Sequence, residues 1–157
     1  MREELATSLF SHPEFLVVLW LHTELDPPDG QWSAAVERLA SARRSKGVAL
    51  DCVRTLVISD GGSPSAAQRV QVMRDLHEGE PSRVAVVTLS LSSPVKRGVA
   101  TALSWINPSV RFFQPARFQD ALLYLDLVEH RREIEREYRE LNERFGRLVR
   151  IFDQVSF

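Results

Sequence analysis

The sequence predicts an α/β domain built on a mixed, mainly parallel sheet, with a long amphipathic helix at its C-terminal end. Three observations predict it. Continuous β-branched and aromatic runs occur at 15–22 (FLVVLWLH), 53–59 (VRTLVIS) and 83–89 (RVAVVTL), the pattern of strands buried on both faces. Segments with apolar residues at helical spacing separate these runs, and such alternation builds βαβ units. Beyond residue 126 the apolar residues recur at alternating spacings of four and three, which marks one face of a long helix.

Each element follows from local chemistry. Asp26-Pro27-Pro28-Asp29-Gly30 breaks the chain after the first strand, and Asp29 is placed to cap the helix beyond it. That helix carries Trp32, Ala35, Val36 and Leu39 on one face and is expected to end near Ser45-Lys46-Gly47. The second strand runs into Asp60-Gly61-Gly62, a tight turn. Ser63-Pro64 then has the form of an N-cap followed by proline at the first helical position. Val70, Met73 and Leu76 form the face of the second helix, and Gly79 closes it. Ser93-Pro94 repeats the cap-and-proline device ahead of a helix carrying Val95, Val99, Ala102, Leu103 and Ile106, stopped by Asn107-Pro108. Residues 110–113 form a short strand, and 118–125 begin another helix. The segment 6–12 reads as an extra edge strand hairpinned to the first, or as none.

Bulk properties narrow the function. The chain has 157 residues, 44% hydrophobic and 26% charged, which suits one folded domain with one appended element. A net charge of −1 leaves no basic excess for a phosphate backbone, so nucleic acid is not the expected partner. The longest apolar run, residues 15–21, falls far short of the roughly 20 residues that span a bilayer. With a single cysteine, Cys52, and an acidic start at Arg2-Glu3-Glu4, a cytoplasmic location is expected, with no membrane and no internal disulfide. Only Lys46 and Lys96 are lysines among 20 basic residues, so the positive charge is nearly all guanidinium.

Several stretches taken in order resemble a known family. Residues 15–26 (FLVVLWLHTELD) are similar to the early strand and Gly-Glu-Leu-Asp-type turn of STAS domains, with His22-Thr23 in place of small residues. VRTLVIS with DGGSPS stands where those domains carry a strand and an Asp-Ser-Ser-Gly-type loop. Ser93-Pro94-Val95-Lys96-Arg97, residues 110–113 and Phe118-Gln119-Asp120-Ala121-Leu122 resemble the corresponding stretch, last strand and final helix. The chain over about residues 12–125 thus resembles the STAS-domain family of SpoIIAA-like anti-sigma-factor antagonists. That resemblance implies a mixed sheet with helices largely on one face, in a domain over 1–125 followed by a helical extension over 126–157. It also implies a non-catalytic role in protein recognition and signalling, with a kinase or an anti-sigma-like regulator as partner. By resemblance Ser63 and Ser65 become candidate phosphorylation sites, and Asp60, Ser93, Lys96 and Arg97 candidate partner-binding residues. DGGSPS departs from the family loop, which bears directly on the phosphorylation switch.

The residues themselves allow a plainer reading of each feature. A hydroxyl at a helix N-terminus suits a phosphate, but Ser63 also reads as an ordinary helix cap. The loop is neither a P-loop, lacking Gly-Lys-Ser/Thr, nor a dinucleotide fingerprint, lacking the third glycine. His12, His22, His77 and His130 never fall three or four apart, so no local metal set is expected. No base or oxyanion-hole signature surrounds Cys52, no Gly-x-Ser-x-Gly elbow occurs, and Trp20, Trp32 and Trp105 read as core rather than as a base-stacking platform. No catalytic residue and no cofactor are therefore expected. The alternative is a small-molecule-binding or catalytic domain whose site lies at the strand ends near Asp60, Ser63 and Ser93, where open parallel sheets place ligands.

The C-terminal segment carries its own expectation. Ile134, Tyr138, Leu141, Phe145, Leu148, Phe152 and Val155 form a heptad seam on a helix over 126–154, flanked by pairs such as Glu135 with Arg139. Through Ile134, Tyr138, Leu141, Phe145, Leu148 and Phe152 this seam makes a homodimer, or it folds back to cover its own domain. Gly146 marks a bend.

Overall fold

The computed structural model describes residues 2–80, 82–89, 109–146 and 148–157. Five strands form one sheet in the order β1-β2-β3-β4-β5: β1 (Leu5–Ser11), β2 (Leu16–His22), β3 (Val53–Ser59), β4 (Arg83–Thr88) and β5 (Val110–Phe113). The hairpinned edge strand is present: β1 pairs antiparallel with β2 from Leu5↔His22 to Ser11↔Leu16. The other three pairings are parallel. The helix expected over 95–106, with Ser93, Lys96, Arg97 and Trp105, lies outside the described residues.

Alternation along the strands divides the apolar residues between two faces. On one face Leu16, Val18, Trp20 and Val53 pack with Trp32, Val36 and Leu39 of α1 (Asp29–Lys46) and Leu76 beside α2 (Ala66–Asp75). α1 ends where glycine was expected to end it, with Gly47 in the left-handed region at φ +62° and its N–H on the carbonyls of Arg43 and Arg44. Asp29 is not its cap. Pro28 holds that position, and the Asp29 carboxylate accepts instead from Gln68 Nε2 at 2.9 Å.

The two crossovers among the described residues, β2–α1–β3 and β3–α2–β4, advance the sheet in one direction, and connections of one hand running one way put their helices on one face. The opposite face is covered by the C-terminal segment. Phe118, Ala121 and Leu122 of α3 (Phe118–Tyr124) and Ile134, Tyr138 and Leu141 of α4 (Arg131–Arg144) pack there against Val17, Leu19, Leu56, Ile58 and Val87. The helices, expected largely on one face, therefore divide between both, because strands that are apolar on both sides need two covers.

The C-terminal helix is shorter than the one expected over 126–154. Asp126, at φ +61°, ends the chain direction of α3, and α4 stops at Arg144 ahead of Gly146 at φ +69°. Asn142 Oδ1 then accepts from Val149 N at 3.0 Å and turns the chain back. Leu148, Val149, Ile151, Phe152 and Val155 enter the core from there, through a short 3-10 turn at Ile151–Gln154. Of the six residues expected to oligomerise, Ile134, Tyr138, Leu141, Leu148 and Phe152 are buried against this chain's own sheet. Phe145 is 37% exposed. The segment over 126–157 thus shares one core with strands from the segment over 1–125. The Tyr138 hydroxyl reaches the sheet backbone and donates to Leu56 O at 2.5 Å, while burial holds its phenol well above the usual range.

Two imidazoles are enclosed as well. His22 stacks near Trp20 and Trp32 with ring centroids at 5.8 and 6.1 Å. Burial pushes it down to about 4, opposed by Asp26. His77 is pushed down to about 4 by burial and then by the Arg43 guanidinium. Nδ1 of each ring is buried without a hydrogen-bond partner.

Leu141→Ala should destabilise the chain by about 2–5 kcal/mol in urea unfolding, as for a large-to-small change in a closed core, and Leu141→Asp should unfold it rather than release a folded monomer. A second expectation concerns pH. Both histidines are neutral when folded and titrate near 6.5 when unfolded, so acid favours the unfolded state, which binds more protons. Stability should be flat above about pH 6.5 and fall between about 6.5 and 4, each ring contributing up to about 1.4 kcal/mol per pH unit. Comparing the urea midpoints of wild type and His77→Leu at both ends of that window checks it: the variant's curve should be flatter.

Candidate functional site

The C-terminal ends of β2, β3 and β4 carry a polar row. His22, Ser59 and Thr88 are in register across the three strands, on the face covered by α1 and α2, and all are buried. From that row springs the loop 60–65, the feature singled out in the sequence.

Close backbone approach shapes the loop. Ser59 Oγ donates to Gly62 O at 2.9 Å and accepts from Gly61 N at 3.0 Å, drawing the chain into a tight reversal. Gly61 has φ +129°. Gly62 N donates to Thr23 O at 2.8 Å, and a Cβ at position 62 would overlap Leu25 O and lie 2.6 Å from Thr23 O. Only glycine fits there. Asp60 N donates to His22 O at 3.0 Å and Ser63 N to Asp26 Oδ1 at 3.0 Å, tying the loop to the turn after β2.

Asp60, a candidate partner-binding residue, faces inward. Its two carboxylate oxygens accept from Arg150 N and Ile151 N, each at 2.7 Å, at the start of the C-terminal 3-10 turn. A carboxylate there satisfies free N–H groups at the start of a helical turn, where negative charge is favoured. The other candidate partner-binding residues, Ser93, Lys96 and Arg97, lie outside the described residues.

The serines hold different positions from those the sequence suggested. α2 begins at Ala66, and its cap is Ser65, not Ser63. Ser65 Oγ accepts from Gln68 N at 3.2 Å, and Gln68 Oε1 accepts from Ser65 N at 2.9 Å, a reciprocal capping box. The signal was present as Ser65-Ala66-Ala67-Gln68. Gln68, which sequence reasoning passed over, is buried and holds the site together: its Nε2 also donates to Pro27 O at 2.8 Å, and its carbonyl accepts from Trp32 Nε1 at 3.0 Å. Trp20 and Trp32, ring centroids 5.0 Å apart, pack as core beneath it. Ser63 is half-buried and Ser65 exposed.

On the other flank, the Thr23 hydroxyl donates to the buried Glu4 carboxylate and accepts from Leu25 N at 3.2 Å. Glu24 lies 3.9 Å from both Arg2 and Arg150, solvated pairs of small energetic weight. The Cys52 thiol, remote from the loop at the start of β3, is raised by burial and by Asp51, so it stays protonated near neutrality. Among the described residues no group of three His, Cys, Asp or Glu side chains could hold a metal ion, and no helix is long and apolar enough to cross a membrane.

Several apolar side chains are exposed around the loop, among polar ones such as Asp26 and Ser65. Leu25, whose carbonyl touches Gly62, is 52% exposed, Val70 on α2 is 63% exposed, and Ala66 and Ala67, next to the capping serine, are exposed as well.

No family model matches the chain, and no curated protein matches it. Among solved structures it is similar to an uncharacterized protein of the DUF3478 family from Shewanella loihica PV-4, described as having a SpoIIAA-like fold. The TM-score is 0.52 at 18% identity, over 77% of this chain and 93% of that one. At that identity the likeness is one of fold. The chain has a SpoIIAA-like fold, the fold of STAS domains.

Proposed function

We propose that the chain is a non-catalytic protein-recognition domain that docks a partner beside the 60–65 loop and is switched by phosphorylation of Ser65 or Ser63. The observation that carries this reading is what the polar groups at the strand ends do. Asp60, Ser59, Thr23 and Asp26 each hold backbone N–H groups, and the His22 imidazole is buried and neutral beneath the tryptophans. Groups committed to the backbone are poor acids, bases or nucleophiles. Leu25, Ala66, Ala67 and Val70 instead present apolar surface beside two hydroxyls, which suits a shallow protein contact better than a converging pocket.

A phosphate fits the chemistry of this place. Ser65 stands at the N-terminus of α2, where free N–H groups and the helix dipole favour negative charge. The Arg69 guanidinium, one turn on, donates to Pro64 O at 2.8 Å and lies beside it. An added charge of about −1.5 to −2 would be tolerated by the helix yet would block an apolar partner surface. The partner in this reading is a kinase or an anti-sigma-like regulator.

The test joins modification to binding. Mass spectrometry of protein from its native host should find phosphate on Ser65 or Ser63. In cross-linking capture, wild type should retain a partner that Ser65→Asp and Val70→Asp lose by about tenfold or more in affinity, as for a charge set in an apolar interface core. The melting temperature should stay unchanged. Unmodified serines together with full retention by both variants would sink the reading.

A further inference from the structure

A groove of about 720 Å³ lies at the other side of the sheet, between β5 and α3, away from the 60–65 loop. Its walls include Arg111, Phe113, Arg117, Asp120, Leu123 and Tyr124. The volume falls within the range of sites for small organic ligands, about 300–1,000 Å³. Its chemistry is divided in two. Leu123 is 66% exposed, and Phe113 and Tyr124 pack with ring centroids 6.2 Å apart, so one side is apolar and aromatic. The other side is cationic.

The cations differ in their partners. Arg117 is paired with Asp120, and Arg83, on the neighbouring strand, is paired with Asp126 at 2.7 Å. Among the described residues no carboxylate pairs with Arg111. Its guanidinium lies over the Tyr124 ring, 4.6 Å from the centroid, a cation–π contact that does not use its N–H donors for an acid. The Tyr124 hydroxyl is itself fastened, donating to Ser109 O at 2.5 Å, so the ring that carries Arg111 is held from both ends. A guanidinium resting on an aromatic ring, beside half-buried aromatic and exposed aliphatic surface, is complementary to one carboxylate on an apolar body.

We propose that this groove binds a small amphipathic monocarboxylate, its carboxylate on Arg111 and its aliphatic or aromatic body against Leu123, Phe113 and Tyr124. The site is separate from the proposed partner surface and does not depend on it. Of the two arginines in these walls Arg117 is already neutralised by Asp120, so a single negative charge is the match, and a neutral analogue loses the interaction that orients the ligand.

Titrating 15N-labelled full-length chain with 4-phenylbutyrate tests it. Saturable shift changes should centre on Arg111, Phe113, Leu123 and Tyr124, and 4-phenylbutyramide should bind about tenfold more weakly or worse, as for loss of a hydrogen bond to a charged group. Arg111→Gln should weaken the acid by a similar factor while leaving the amide unchanged, and Leu123→Asp, on a well-solvated side chain, should weaken both. The proposal is overturned by an unsaturable response, by the amide matching the acid, or by Arg111→Gln binding the acid as wild type does. It is equally overturned if an acidic peptide saturates these residues and 4-phenylbutyrate does not, since the groove would then be a protein contact.

Discussion

The inner strands of this sheet carry apolar side chains on both faces, so neither face can be left in water. β2 is buried at every position, with Val17, Leu19 and Leu21 on one side and Leu16, Val18 and Trp20 on the other. The two crossovers among the described residues supply one cover, because they wind the same way and deliver α1 and α2 to the same side. The second cover is supplied by the chain beyond β5. Tyr138 shows how closely it fits: its ring is fully buried and its hydroxyl reaches the backbone of β3. A phenol placed there without a partner would be costly, and the Leu56 carbonyl supplies that partner. Shape, polarity and chain order thus agree that the C-terminal segment is the second wall of the domain.

This requirement also explains where the sequence was readable and where it was not. The buried strands at 16–22, 53–59 and 83–88 announced themselves, because β-branched runs of that length bounded by turns have few other uses. Gly47 marked the end of α1, since a left-handed cap calls for glycine. The segment after residue 126 was harder. Apolar residues spaced four and three apart serve a coiled-coil seam and a helix lying on a sheet equally well, and the pattern runs on smoothly past Gly146. The break falls ahead of Gly146, the bend the sequence marked, and Asn142 fixes the reversal; what is not local in sequence is the packing of Leu148, Val149 and Ile151 into the core, which turns the seam onto this chain's own sheet.

The loop was legible in composition and not in its connections. Two glycines beside serines and a proline told of a tight turn before a helix. The capping box could have been found from Ser65 and Gln68 three residues apart, but the Ser63-Pro64 pair offered an equally good start. Nothing near Asp60 indicated that its carboxylate would be taken up by Arg150 and Ile151, because residues that meet only in the folded chain leave no spacing to read. The same holds for the groove at β5: Arg111 and Leu123 look ordinary apart, and become a pair only when α3 lies down beside the strand.

The tie between Asp60 and the backbone at 150 and 151 joins residues 90 and 91 positions apart. Contacts of that span close late, since the intervening chain must be ordered before the pairing can repay the lost freedom. They are also available only once the far end of this stretch of polypeptide has been made. A nascent chain that already has its strands and α2 therefore lacks one of the ties that hold the loop. The surface around Ser63 and Ser65 thus leans on residues made 90 and 91 positions after Asp60, and the order of synthesis separates the loop from its brace.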